Sequence, residues 1–131
     1  MPPVDLVASA IAAVSAFVLG GLWYSPALFA RAWQRETGLS DEQLNAAPKG
    51  RIFGLAFVAS FVAALVFSMF VGPDPALGFA LGAGLAVGIA WVASSFAINY
   101  LFELKSAKLW AINGGYHVVQ FALYGLVCGL I

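Results

Sequence analysis

Residues 52–102 read IFGLAFVASFVAALVFSMFVGPDPALGFALGAGLAVGIAWVASSFAINYLF, and the only charged side chain in the whole stretch is Asp74. Two apolar runs, 52–71 and 76–102, flank Gly72-Pro73-Asp74-Pro75. Each is at least as long as the ~20 residues a helix needs to cross the hydrocarbon of a bilayer. Neither proline suits a helix interior, so the residues between the runs predict a tight turn and antiparallel neighbours. Working outward, a third run covers 6–24 and a fourth covers 109–131, the latter after a short polar turn at 103–108. The expected fold class is all-α. It is an integral membrane four-helix bundle in a single domain, 1–131, with a short amphipathic interfacial helix between the first two spans.

Composition supports this. Of 131 residues, 63% are apolar and 9% charged. A soluble domain is nearer a quarter charged, and a chain this small has too much surface to hide such an excess. The opening Met1-Pro2-Pro3-Val4-Asp5 has no basic n-region, so the first run is expected to be a retained helix and not a signal peptide. Net charge is zero, which argues against a nucleic-acid partner. Arg31, Arg35, Lys49 and Arg51 fall in the first connection, Lys105 and Lys108 in the third. In a four-span chain these share a side, and the positive-inside rule makes that side cytoplasmic. Connections 25–51 and 103–108 are then cytoplasmic and both termini lie outside.

The first connection carries the most local signal. Ser25 is suited to cap a helix opening at Pro26 and running to Thr37. Leu28, Phe29, Ala32 and Trp33 fall on one face and Arg31, Gln34 and Arg35 on the other, as in a helix lying at the headgroups. Gly38 should end it. Ser40 with Gln43 fits a capping box for a second short helix before Pro48. Trp23, Tyr24 and Trp33 read first as an aromatic belt, and second as a ligand or partner site at the inner leaflet. The string Gly20-Gly21-Leu22-Trp23-Tyr24-Ser25-Pro26-Ala27-Leu28-Phe29, followed by Trp33, resembles the signature of an uncharacterised bacterial membrane family, domain of unknown function 1761. Asn113-Gly114-Gly115-Tyr116-His117 resembles that family's second recurring stretch. The resemblance covers essentially the whole chain and implies a membrane protein, with a bacterial inner membrane as its setting, without supplying a reaction or ligand.

Small residues let helices approach in lipid, where apolarity alone does not drive association. The pairs Gly78/Gly82, Gly84/Gly88 and Gly125/Gly129 are spaced for this, as are Gly50/Gly54. They predict close crossings, with some faces left for a homodimer or another membrane protein. Polar residues also recur. Ser95, Asn99 and Glu103 are spaced every four residues on the third run, and Asn113, His117, Gln120 and Tyr124 share a face on the fourth. Folding the turn about Ser106 sets Asn99 level with Asn113 and Ser95 level with His117. His117 lies roughly 12 Å into its helix. These stripes should satisfy each other as hydrogen-bond glue worth about 0.6 kcal/mol per bond. Alternatively, His117 is a proton-accepting or ligand-binding group in a polar cavity.

No catalytic residue is expected. The one histidine has no buried carboxylate to orient it, and it sits about 16 Å along the helix from the one cysteine, Cys128. No metal, cofactor or phosphate loop is expected either. The ranking is a structural, regulatory or partner-binding membrane module first, and a small oligomeric transporter or channel using the face around His117 second.

Overall fold

The computed structural model describes residues 5–131, and among these it is all-helical. The reading of the first few residues as lacking a basic n-region rests largely on positions 1–4, which lie outside the described residues. Four long helices dominate: α1 (Leu6–Trp23), α4 (Lys49–Val71), α5 (Leu77–Phe102) and α6 (Ala107–Leu130). Two short helices, α2 (Ala30–Thr37) and α3 (Asp41–Ala46), fill the first connection. Of the long helices, α1, α4 and α5 are long and apolar enough to cross a membrane. Helix α6 has the length, but Asn113, His117 and Gln120 along it dilute its apolarity.

The helix ends follow from local chemistry. Asp5 caps α1, its Oδ1 accepting from the Ala8 N–H at 2.9 Å. Ser40 and Gln43 form both halves of the expected capping box, at 3.1 and 2.8 Å. Gly38 takes the left-handed conformation that stops α2, with φ 76°. Ser25 departs from expectation. Its hydroxyl turns back to donate to the Leu22 carbonyl at 2.7 Å, closing α1. No helix starts at Pro26. Residues 25–29 form overlapping turns, and α2 begins at Ala30 without a side-chain cap.

Helix α6 is the centre of the fold. It touches α1, α4 and α5, while α4 packs mainly on α1. The α5–α6 crossing is a backbone-to-backbone contact made possible by glycine. A Cβ on Gly88 would lie 2.7 Å from the Val118 Cα. One on Gly84 would run into the Phe121 carbonyl, and one on Gly125 into the Ala80 carbonyl. Gly129 meets Leu77 in the same way. Gly78, Gly82, Gly50 and Gly54 face open space, so this half of the small-residue set plays no part in packing within the chain.

Helix α5 is not α-helical throughout. Val87–Ala93 is a π-helical segment. Such a wide turn accommodates an extra residue and rotates everything beyond it by about one position. In an unbroken α-helix, Ser95 and Asn99 would follow Gly84 and Gly88 by three turns on the face toward α6. The π segment moves Phe96 and Tyr100 onto that face instead.

Candidate functional site

Helix α6 carries its polar side chains inward, and three groups of contacts hold them. At the end near the α5–α6 turn, Asn113 sits between two tyrosines. Its Oδ1 accepts from the Tyr24 hydroxyl at 2.7 Å, and its Nδ2 donates to the Tyr100 hydroxyl at 2.8 Å. Beside it, the Trp23 indole N–H donates to the Ile112 carbonyl at 2.9 Å. A Cβ on Gly115 would press on the Trp23 ring at 3.2 Å, so this glycine makes room for the indole. Gly20 lies against the Tyr116 hydroxyl end in the same manner. Tyr116 donates in turn to the Ala16 carbonyl at 3.0 Å. The Trp-Tyr string after α1 and the Asn-Gly-Gly-Tyr string of α6, 89 residues apart, are therefore two sides of one contact.

Deeper in, a chain of side chains runs from His117 to α4. His117 Nδ1 meets Gln120 Oε1 at 2.5 Å. Gln120 Nε2 donates to the Tyr124 hydroxyl at 2.6 Å, which is also 2.6 Å from Ser60 Oγ and donates to the Ser60 carbonyl at 3.1 Å. Gln120, Tyr124 and Ser60 are buried. The His117 ring stacks on Phe96, with centroids 5.0 Å apart and planes inclined by 16°, while Tyr116 approaches it edge-on. Among the described residues no buried side-chain nitrogen or oxygen lacks a partner.

Over this floor lies a cleft of about 960 Å³. Its walls are mostly apolar: Phe17 and Gly21 from α1, Phe53, Ala56 and Ala59 from α4, and Val92 from α5. Tyr24, Ser60, Tyr116, His117 and Gln120 supply the polar base. Helix α4 makes no extended contact with α5, so the cleft opens sideways between them. Clefts that bury small molecules run to about 300–1,000 Å³, with apolar walls and a few converging polar groups.

The expected site residues divide clearly. His117, Gln120 and Tyr124 are linked by hydrogen bonds on α6, while Asn113 shares their helix but pairs with Tyr24 and Tyr100 instead. Ser95 and Asn99 do not join them. Both are exposed on the far side of α5, and the Ser95 hydroxyl satisfies itself on the Trp91 carbonyl at 2.6 Å. The π segment is the cause. Tyr100 and Phe96 occupy the places expected of Asn99 and Ser95. Trp23 and Tyr24, read first as a lipid-facing belt, turn in toward α6. Trp33 packs edge-on against Tyr24 at 6.1 Å and Phe29 against Trp23 at 5.0 Å, while Pro26 is exposed. Sequence reasoning did not single out Ser60, which stands every fourth residue in a row of small side chains with Ala56 and Ala64. Its hydroxyl was the signal that the row does more than pack.

The model of a family described as a protein of unknown function (DUF1761) matches residues 7–129. The chain belongs to that family. In this DUF1761 protein, the match runs from α1 nearly to the end of α6 and so includes both sides of the Tyr24–Asn113 contact and the whole cleft. No curated protein and no solved structure matches it.

Proposed function

We propose that this DUF1761 protein is a four-span protein of the bacterial inner membrane that binds a membrane-dissolved apolar molecule in the cleft beside α6. The observation that carries this reading is the cleft itself, an apolar recess of about 960 Å³ with a hydrogen-bonded base and a lateral opening between α4 and α5. A molecule dissolved in the bilayer would reach it without crossing water. Helix α6 serves as the fourth span in this reading, with its polar side chains turned inward and each hydrogen-bonded to a neighbouring side chain. In this reading the protein is a binding module, whose base offers a histidine hydrogen-bonded to an amide.

Two experiments test this. Ala59 is exposed on the cleft wall, so Ala59→Trp should fill the recess without disturbing buried contacts. Wild-type protein extracted from its native membrane should retain a defined apolar compound that the variant loses, while both give the same helical circular dichroism. Identical extracts from the two proteins, or disulfide dimers formed rapidly by Phe53→Cys across the cleft mouth, would sink the reading. For orientation, the positive-inside rule places all six basic residues in the cytoplasm. A reporter that fluoresces only in the cytoplasm should therefore stay dark when fused after Ile131. A bright fusion reverses the topology.

A further inference from the structure

We infer that the cleft selects an apolar molecule bearing a hydrogen-bond donor, a hydroxyl or phenol, which pairs with Nε2 of His117. This rests on the cleft being a ligand site, and it follows from where the protons at its base must lie.

Tyr124 has one hydroxyl proton. The Tyr124 oxygen and the Ser60 carbonyl oxygen are 3.1 Å apart. The pair has hydrogen-bond geometry and the carbonyl has no proton, so Tyr124 donates there. Ser60 Oγ and Gln120 Nε2 then both donate to the Tyr124 oxygen. That fixes the Gln120 amide with Nε2 toward Tyr124 and Oε1 toward His117. Reversing the amide would draw the Tyr124 proton to Gln120 and leave the Tyr124 and Ser60 oxygens facing each other bare. With Oε1 as an acceptor, the proton between it and His117 belongs to Nδ1. In a neutral imidazole the other nitrogen is then an acceptor.

Nothing within the described residues pairs with that nitrogen. His117 makes its one side-chain hydrogen bond through Nδ1. No buried side-chain nitrogen lacks a partner, so Nε2 is accessible. The neighbouring hydroxyls have no protons to offer. Tyr24 gives its proton to Asn113 and Tyr116 gives its own to Ala16. The ring and hydroxyl groups at the base therefore present lone pairs, and the one N–H left over, the second on Gln120 Nε2, belongs to a buried amide. A ketone, ether or ester would set lone pair against lone pair, whereas an O–H completes the set.

The chain has a single histidine, so labelling histidine with ¹⁵N gives spectra from His117 alone. The test uses the full chain in lipid nanodiscs and two probes of similar shape, 4-octylphenol and 1-fluoro-4-octylbenzene, compared at equal mole fraction in the bilayer. Without probe, Nδ1 should carry the proton and Nε2 should not. The phenol should bind about tenfold more tightly than the fluoro compound, a difference of ~1.4 kcal/mol. It should also shift the Nε2 resonance, which the fluoro compound leaves in place. His117→Phe should bind both probes alike. A proton on Nε2 in the probe-free protein, or equal binding of the two probes by wild type, overturns the donor preference and leaves the cleft as a ligand site. Binding of neither probe, or unchanged binding by Ala59→Trp, removes the ligand site and this inference with it. The tautomer and the probe pair are read on wild type, so they decide the question even if the histidine variant fails to fold.

Discussion

Gly125→Leu should separate α5 from α6 and cost more than about 3 kcal/mol, beyond the usual range for an overpacked site. The reason lies in what a new side chain would meet. The Ala80 carbonyl carbon is 2.8 Å and the Leu81 Cα 2.9 Å from where the first carbon would stand. Both are backbone, held in a helix, and neither can swing aside as a side-chain tip would. Relief has to come from moving one helix away from the other, which also opens the contacts at Gly84 and Gly88. Gly125→Ala should already be destabilising for the same reason. Gly82→Ala is the control. It lies on the same helix pair but faces open space, so its effect should stay within about 0.5 kcal/mol. Unfolding in detergent micelles, followed by tryptophan fluorescence, measures all three. Equal stability of Gly125→Leu and Gly82→Ala would mean that the α5–α6 backbones are not in contact.

The second large effect should come from Tyr124. It is fully buried, with the Phe67 and Phe121 rings around it and the hydroxyl bonded to Gln120 and Ser60. Tyr124→Ala leaves a ring-sized void and should cost about 3–4 kcal/mol. Tyr124→Phe keeps the packing and isolates the hydroxyl. Hydrogen bonds between membrane helices average about 0.6 kcal/mol, but this change strands donors on two helices, so about 1–2 kcal/mol is expected. The same substitution should act at a distance. Without the Tyr124 oxygen to hold Nε2, the Gln120 amide is free to reverse, and His117 is no longer confined to one tautomer. Histidine ¹⁵N spectra of Tyr124→Phe should then show protonation at both ring nitrogens. A spectrum matching wild type would show that Gln120 is oriented by something else.

How much of this was legible in the sequence depends on the length scale. Run length, the Gly72–Pro75 turn and the Ser40–Gln43 box locate the long helices and α3 to within a few residues, because each signal is local. The inward stripe of α6 was legible too, since its spacing is that of an unbroken α-helix. The matching stripe on α5 was not. Ser95 and Asn99 have the right spacing, yet the π segment at Val87–Ala93 turns them outward, and no residue type announces that change of pitch. Trp23 and Tyr24 misled for another reason. Interfacial aromatics look alike in sequence whether they meet lipid or protein. Only the glycine facing Trp23, Gly115, marks the difference, and it lies on α6, far along the chain. The cleft had no sequence signal, because it is defined by α4 standing clear of α5.

Because α6 supplies the partner for so many earlier groups, the order in which the chain is made has consequences. When α1, α4 and α5 have left the ribosome, the Trp23 indole, the Tyr24 hydroxyl and the faces of Gly84 and Gly88 still await α6. Only α1 and α4 pack together beforehand. The nascent protein thus passes through a stage in which its tightest interfaces lie open, and a chain stalled ahead of Ala107 would offer them to whatever protein stands nearby. The contacts that hold the earlier helices most closely depend on a helix made after them.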